Sequence, residues 1–394
     1  MTRVGFLEVG SAQRFKAGER IAGDAVLTRR SADGARTITV LSDGLGSGVK
    51  AGVLSSLTST MALRLIEFDV PIERVAQVIM QTLPVCSTRH ISYSTFTIVD
   101  ARSNGRTRII EYDNPPFVFV RRGELVNPER RRIELERPDG RPASLRLSEL
   151  DLELGDRILC YSDGVTQAGM GSAGYPLGWG RSGVSTLLDS VLTTDASVSA
   201  SVLARRLVQE AGRRDGRGPR DDISSVVLYY RSPRKLLVVT GPPLDESRDA
   251  ELAQRVGSFP GRRIVAGGTT GNIVARELGT KPVVEMRNRD PEIPPFATME
   301  GVDLVTEGII TMARVVELLE SPGLRTRSRE NAATMFRDHL VESDEIELVV
   351  GTKINQAHQD PRIPAQFELR RTIAERIAAL LRANYLKDVT ISYV

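Results

Sequence analysis

Apolar and polar residues alternate along most of the first 232 residues, and this period of two is typical of β-strands with one buried face. The alternating runs are VGFLEVG, AVLTRR, ARTITVLSD, YSTFTIVDAR, TRIIEYDN, PFVFVRRGELV, DRILCYSDG and DISSVVLYYRS. Short turn sequences at 103–105 and 121–123 join neighbouring runs. Because a parallel pair needs a longer crossover, these turns predict antiparallel pairing.

Helical spacing replaces this alternation in a few segments. After residue 46, apolar residues recur at helical spacing twice: Val49, Val53, Leu57 and Met61, then Val75, Val78, Ile79 and Leu83. Two further helical patterns lie near 181–192 and 198–213. Strands with segregated helices predict an α+β domain, whose last strand ends near Ser232 and Pro233.

The pattern changes at Lys235, where apolar strands begin to alternate with helical segments. The strand-like runs are KLLVVTG, RRIVAGG, GVDLVTEG, EIELVVGT and VTISYV, and helical patterns separate them. Such alternation is typical of a three-layer α/β domain with a mostly parallel sheet. We therefore predict two domains, residues 1–233 and residues 234–394.

Composition narrows the classes of function. The 394 residues include 53 basic and 50 acidic side chains, so the net charge of +3 gives no electrostatic drive toward nucleic acid. Two cysteines and three histidines are too few for a disulfide framework or a cysteine-based zinc site. No segment has the apolar core of a signal peptide or the roughly 18–20 apolar residues of a membrane span. We expect a cytoplasmic protein that binds neither nucleic acid nor membrane.

Four aspartates stand where predicted strands end and turns begin: Asp24, Asp43, Asp163 and Asp221. A glycine follows Asp43 and Asp163, which permits a tight turn that brings a carboxylate and a backbone carbonyl to one ion. Oxygen donors select Mg²⁺ or Mn²⁺ over zinc. Each Asp-Gly pair alone is better explained as a turn, whereas the set of four predicts a site for divalent cations.

The segments GD, DGLGSG, NPPFVFVRRGE, SDGVTQA and DDIS, in this order, resemble the metal-dependent protein phosphatase (PPM, type 2C) family, and more narrowly its bacterial stage II sporulation branch. The resemblance covers about residues 1–232 and implies an α/β-β/α sandwich with a metal site at one edge of its two sheets. The implied ligands of two Mn²⁺ or Mg²⁺ ions are Asp24, Asp43, the Gly44 carbonyl, Asp163 and Asp221. Asp43 would contact both ions, and Asp222 would lie behind the ligands and orient one of them or a water molecule.

The implied activity is hydrolysis of phosphoserine or phosphothreonine monoesters by water activated between two metal ions, with Asp43 and Asp163 as the central catalytic residues. The implied partner is a phosphorylated regulatory protein of bacterial signalling, such as an anti-sigma-factor antagonist, and a homodimer stays open. Three arginines near the amino terminus have no assigned role in binding phosphate: Arg3, Arg14 and Arg20. His90 is better explained as a core or surface histidine than as a proton donor.

Two other functions stay open: a phosphatase-like scaffold without catalysis, and a small-molecule-binding protein whose main activity lies in residues 234–394. In that second domain Gly268, Thr269, Thr270 and Gly271 lie between a strand and a helix, where backbone N–H groups could hold an anion. A tight turn with a threonine cap explains the same residues equally well. In the first domain, the hydroxyl residues at 55–60 predict either a regulatory switch or close packing by small side chains.

Overall fold

The computed structural model describes residues 5–82, 94–136, 140, 142–216, 218–285, 290–321, 331–353 and 364–394. The chain divides between Ser232 and Pro233 into two compact units. Within the described ranges, no helix is both long and apolar enough to cross a membrane.

The first unit consists of two antiparallel sheets flanked by helices. Its strands are β1 Phe6–Arg14, β2 Asp24–Arg30, β3 Arg36–Gly44, β4 Ser94–Arg102, β5 Arg106–Tyr112, β6 Val118–Arg121, β7 Glu124–Val126, β8 Arg131–Glu136, β9 Pro142–Asp151, β10 Arg157–Tyr161 and β11 Ile223–Arg231. Its helices are α1 Gly48–Glu67, α2 Ile72–Thr82, α3 Asp163–Thr166, α4 Gly180–Thr194 and α5 Ala200–Arg214. The five-stranded sheet has the order β1-β11-β10-β6-β7, and the six-stranded sheet has the order β2-β3-β4-β5-β9-β8.

Three apolar clusters join these layers. One cluster contains residues of both sheets, among them Leu41, Val99 and Leu228. A second cluster joins the six-stranded sheet to α1 and α2, and a third joins the five-stranded sheet to α3, α4 and α5. Burial of these faces removes apolar surface from water and drives the stacking of helix on sheet on sheet on helix. The predicted α/β-β/α sandwich is confirmed.

Helix α1 packs on its sheet through small and hydroxyl residues. Val49, Val53 and Leu57 are 64%, 61% and 43% exposed, whereas Ser55 and Thr58 are fully buried. Each buried hydroxyl donates to a carbonyl of the same helix, at 3.2 Å for Ser55 and 2.8 Å for Thr58. The helix begins where the sequence spacing predicts it, and its buried hydroxyls favour the interpretation of close packing by small side chains.

The second unit is built on one seven-stranded sheet. Its strands are β12 Lys235–Thr240, β13 Arg262–Ala266, β14 Val283–Val284, β15 Ala297–Met299, β16 Val302–Thr306, β17 Glu345–Val350 and β18 Asp388–Tyr393. Its α-helices are α6 Asp249–Ser258, α7 Gly268–Leu278, α8 Ile309–Glu320, α9 Ala332–Glu342 and α10 Pro364–Tyr385, and a short 3₁₀ helix covers Glu246–Arg248.

The strand order of this sheet is β14-β15-β16-β13-β12-β17-β18, and the strands from β16 to β18 are parallel. Helices α6 and α7 pack on one face, in a cluster that includes Leu237 and Val265. Helices α8, α9 and α10 pack on the other face, with Leu236 and Ile264. Since consecutive strand residues point to opposite faces, the sheet is covered on both sides. The predicted three-layer α/β architecture with a mostly parallel sheet is confirmed.

Candidate metal centre

Asp24 and Asp43 face each other across the edge of the six-stranded sheet. Asp24 begins β2, Asp43 is the next-to-last residue of β3, and the antiparallel register makes their Cα atoms partners. The N–H of Gly44 donates to the Gly23 carbonyl at 3.2 Å. A Cβ at Gly44 would lie 2.3 Å from the carbonyl oxygen of Ala51, so only glycine lets α1 approach this end of β3.

Asp163 and Asp221 come from the end of the five-stranded sheet. Asp163 begins α3 soon after β10, and Asp221 lies just before β11, the antiparallel neighbour of β10. A Cβ at Gly164 would lie 2.1 Å from the Asp222 carbonyl oxygen and 3.6 Å from the Asp221 Cβ. The turn after Asp163 therefore packs directly against the segment that carries Asp221.

Asp222 is buried and holds the loop between β1 and β2. Its Oδ2 accepts the N–H of Gly23 at 2.6 Å, and its Oδ1 accepts the N–H of Lys16 at 3.0 Å. Gly23 immediately precedes Asp24, so Asp222 fixes the backbone from which the Asp24 side chain projects. The orienting role of Asp222 stays a prediction, and these two hydrogen bonds are the contacts through which it would act.

Burial raises the pKa values of all four aspartates, and repulsion from other members of the set adds to the rise for Asp43 and Asp221. Burial raises the pKa of Asp24 from 3.8 to about 7. The pKa of Asp43 is raised well above its usual range, first by burial and then by the charges of the other three aspartates. Burial also raises the pKa values of Asp163 and Asp221. Negative charge is therefore costly in this region unless a cation joins the carboxylates.

The chemistry of these residues fits a hard divalent cation. Within the described part of the first unit, the buried Oδ2 atom of Asp24 has no hydrogen-bond partner, which costs free energy unless another group contacts it. The side-chain donors are all carboxylate oxygens, which suit Mg²⁺ and Mn²⁺. In the part of the chain that the structure describes, however, no three His, Cys, Asp or Glu side chains form a group that would hold a metal ion as they stand.

Two polar contacts beside the candidate metal centre were not predicted from the sequence. Gln167 Nε2 donates to Asp163 Oδ2 at 2.7 Å. A glutamine four residues after an aspartate at a helix start is a spacing that could have indicated this pair. Ser47 Oγ donates to Glu19 Oε1 at 3.2 Å, which places an acid at the start of α1, a helix with no acid in its own first turn. Glu19 belongs to a distant loop, so no local spacing indicates it.

The other candidates near the amino terminus stay without an assigned role. Arg14 packs against α5, where its Nη1 lies 2.4 Å from the position that a Cβ would take at Gly212. Arg20 is exposed. Arg3 and His90 lie outside the described residues.

The predicted anion-binding segment belongs to the second unit and is separate from this centre. Residues 268–271 form the first turn of α7, after β13, in the strand-to-helix position that the sequence predicts. Gly268 and Thr269 are exposed, whereas Thr270 and Gly271 are buried. Their role as a ligand site stays a prediction.

A family profile described as Stage II sporulation protein E (SpoIIE) matches residues 33–231, just over half of the chain. The chain belongs to the SpoIIE family. The SpoIIE match contains every residue of the candidate metal centre except Asp24, which lies before it. The resemblance inferred from the sequence motifs is confirmed, and SpoIIE membership supports the predicted activity of a protein serine/threonine phosphatase.

Solved structures similar to the chain include the PP2C phosphatase domain and a regulatory-domain fragment of SpoIIE from Bacillus subtilis, with 17% identity and a TM-score of 0.46 over 58% of this chain and 64% of that one. The chain thus spans slightly less than two thirds of that structure. The RsbU and RsbW domains of a Mycobacterium tuberculosis protein match with 17% identity and a TM-score of 0.46, over 64% of this chain and 67% of theirs. The catalytic domain of PstP in complex with 2 manganese ions matches with 19% identity and a TM-score of 0.39, over 57% of this chain and 100% of that one. Comparison with curated proteins finds no match.

Proposed function

We propose that the first unit is a metal-dependent protein serine/threonine phosphatase that hydrolyses phosphoserine and phosphothreonine monoesters. The observation that carries the proposal is the approach of four aspartates, from distant parts of the chain, to within electrostatic reach of one another around Asp43. Membership of the SpoIIE family supports the same activity.

The proposal assigns two Mn²⁺ or Mg²⁺ ions to the four aspartates and the carbonyl oxygen of Gly44. When bound, such ions lower the pKa of a water molecule and neutralise phosphoryl oxygens. Asp43 lies opposite Asp24 and would contribute to both ions. Gln167 holds one oxygen of Asp163, and Asp222 fixes the backbone beside Asp24. These residues position the carboxylates, and the proposal needs no protein nucleophile.

We place the substrate among phosphorylated regulatory proteins of bacterial signalling, such as anti-sigma-factor antagonists. Support comes from SpoIIE membership and from the similar structure that contains RsbU and RsbW domains in one Mycobacterium tuberculosis protein. A cytoplasmic location belongs to the same proposal, and a homodimer stays open. Release of phosphate from a candidate phosphoprotein, measured with the full chain and Mn²⁺, tests the substrate class.

The deciding experiment measures hydrolysis of p-nitrophenyl phosphate and of a phosphoserine peptide by the full chain. Activity should require Mn²⁺ or Mg²⁺ and should stop when EDTA is added. Asp43→Ala and Asp163→Asn should each lower the rate by at least about a hundredfold, because loss of a residue behind a metal ligand already costs about 10–100-fold. Asp189→Asn is the matched control: Asp189 is exposed on α4, so this variant should keep full activity.

A phosphatase-like scaffold without catalysis is the competing function. It is favoured by the finding that no three potential ligand side chains, within the described ranges, form a ready group for a metal. Metal-dependent turnover that is lost in Asp43→Ala would exclude the scaffold. Wild-type protein that neither binds Mn²⁺ in calorimetry nor hydrolyses either substrate would establish it and refute our proposal.

A further inference from the structure

Four adjacent parallel strands of the second unit lead into glycines at one edge of the sheet. Gly241, Gly267 and Gly351 directly follow β12, β13 and β17, and Gly308 lies two residues beyond β16. The φ angles of Gly241, Gly267 and Gly308 are +80°, +134° and +128°, which favour glycine over residues with a Cβ. These strands are parallel, so all four glycines lie at the carboxyl edge.

The order in which the chain adds strands to the sheet reverses between β12 and β17, which are themselves parallel. From β12 the chain continues to β13 and β16 on one side, and from β17 it continues to β18 on the other. The helices that follow β12 and β17, α6 and α10, cover opposite faces of the sheet. In open parallel sheets, ligands bind outside the carboxyl ends of the strands at such a reversal.

Arg370 of α10 reaches the strand ends at this reversal. Its Nη1 donates to the Gly351 carbonyl at 3.1 Å and lies 2.4 Å from the position that a Cβ would take at Gly241. Among the residues that the structure describes, no carboxylate forms an ion pair with Arg370, whereas the adjacent Arg371 pairs with Glu375 at 2.9 Å. Burial lowers the pKa of Arg370. A partly buried guanidinium with no acidic partner is a binding group for an anion.

The neighbouring strand β13 supplies a second group for an anion. Helix α7 starts after Gly267 with no side-chain cap and no acid in its first turn, whereas Asn331 caps α9. Thr270 is 1% exposed, and its Oγ1 has no hydrogen-bond partner among the residues that the structure describes. That oxygen faces Gly267, since it lies 3.2 Å from the position of a Cβ there. The Gly268 N–H already donates to the Glu307 carbonyl at 3.2 Å. The N–H groups of Thr269 and Thr270, together with the Thr270 hydroxyl, are therefore the groups suited to hold phosphate oxygens.

We propose that this carboxyl edge binds a phosphate-bearing small molecule, with the phosphate held between Arg370 and the first turn of α7. Thr240 and Ala266 are Cα partners, so Gly241 and Gly267, which follow them, lie on strands about 4.8 Å apart. Arg370, which lies against Gly241, and the first turn of α7 therefore stand at the ends of neighbouring strands. The exposed acid Glu307 lies at the start of α8, where its Oε2 accepts the N–H of Ile310 at 3.2 Å. The site shares no residue with the proposed phosphatase centre, so either can fail alone.

Calorimetry on the full chain tests this site. Excess EDTA keeps metal-dependent phosphate binding in the first unit from contributing. The probes are inorganic phosphate, AMP, ADP and glucose 6-phosphate, and adenosine and glucose are their uncharged counterparts. At least one phosphate-bearing probe should bind and the uncharged compounds should not. The preferred probe distinguishes a nucleotide from a sugar phosphate or a free phosphate.

Arg370→Gln should weaken binding of that probe about 10- to 100-fold, as expected for loss of a charge-assisted hydrogen bond. Arg371→Gln is the matched control, because it removes the same charge one residue away and should leave the affinity unchanged. Bound probe should also slow hydrogen exchange at residues 268–270.

Two results would overturn the proposal: no binding of any phosphate-bearing probe by wild-type protein at millimolar concentration, or equal affinity in Arg370→Gln and wild type. If circular dichroism shows that Arg370→Gln has lost its fold, Arg370→Lys provides the test. Lysine keeps the charge without the planar fork of donors. Binding that is measurable but weaker than that of wild type therefore supports the proposal. An affinity equal to that of wild type, with no slowing of exchange at 268–270, refutes it.

Discussion

The two units gather charged groups of opposite sign, and they do so with different sheets. In the first unit, antiparallel pairing sets Asp24 against Asp43, and the second sheet adds two further aspartates. In the second unit, a parallel sheet places glycine turns, a helix N-terminus and the guanidinium of Arg370 at one edge.

The comparison shows where each charge originates. Side chains at strand ends supply the negative charge of the first unit, and burial makes that charge costly in the absence of a cation. In the second unit the backbone supplies part of the positive charge, because strand-to-helix turns direct N–H groups and the helix dipole toward the edge. The ligands proposed for the two units thus carry opposite charge: a cation in the first unit and a phosphate in the second.

The largest expected effect comes from two substitutions, one in each unit, that should each impair the function of their own unit and spare the other. Asp43→Asn should lower metal-dependent phosphatase activity at least about a hundredfold and leave the affinity for the phosphate probe unchanged. Arg370→Gln should show the opposite pattern, because it alters only the second unit. Steady-state kinetics and calorimetry on the same preparations measure both properties. A single variant that lowers both would show that the two charged regions are not independent.

The next effect concerns the close approach of α1 to β3. Gly44→Ala should destabilise the protein by about 1–3 kcal/mol, because its Cβ would lie 2.3 Å from a backbone oxygen of the helix. Gly174→Ala is the matched control, since no atom lies within 4 Å of a Cβ there. Urea unfolding of both variants provides the measurement. Equal midpoints for the two variants would contradict the packing described here.

The thermal stability of the metal-free protein should depend on pH through Asp24. In the fold, Asp24 has a pKa of about 7, against 3.8 for the free side chain. The stabilisation that comes from its proton is complete below about pH 4 and is lost as the pH rises through about 7. In EDTA, the melting temperature should fall by several degrees between about pH 5 and pH 8. Mn²⁺ should reduce this fall, because a bound cation stabilises the ionised carboxylate.

Asp24→Asn provides the control for that titration, because asparagine cannot take up the proton. The variant should show a flatter dependence of the melting temperature on pH in EDTA. The same slope in variant and wild type would place the titrating group elsewhere.

The smallest expected effect lies in the core of the second unit. Thr311 is fully buried, and its hydroxyl has no hydrogen-bond partner in the described parts of the chain, so Thr311→Val should leave stability unchanged or raise it by up to about 1 kcal/mol. Thr334→Val should instead lower stability by about 1 kcal/mol, because the Thr334 hydroxyl accepts the N–H of Asn331 at 2.9 Å. Thermal unfolding of the two variants tests this difference in sign.

The approach of the four aspartates follows from the sequence, because acids at strand ends meet when consecutive strands pair. Their role as metal ligands stays a prediction. The sequence did not predict which face of α1 packs on the sheet. Its series of apolar residues at every fourth position suggests a buried stripe, yet Val49 and Val53 are exposed. The helix turns its small residues inward because glycines such as Gly44 and Gly52 allow backbone contact. Hydrophobic spacing reports side-chain character and carries no information about how closely two backbones approach.

The second unit shows a different limit. Alternation of strands and helices predicted a parallel sheet, but neither the strand order nor the position of Arg370 follows from it. Arg370 and Arg371 are adjacent on one helix, and their spacing does not distinguish them. Only the fold shows that one forms an ion pair with Glu375 while the other lies against Gly241.

The first strand of the first unit pairs with its last. Phe6 and Arg231 are Cα partners on β1 and β11, so the start of the first strand and the end of the last lie about one strand spacing apart. A linker of a few residues would join them. The unit could then be circularly permuted with new termini between α4 and α5 without loss of any strand pair, or inserted whole into a surface loop of a host protein.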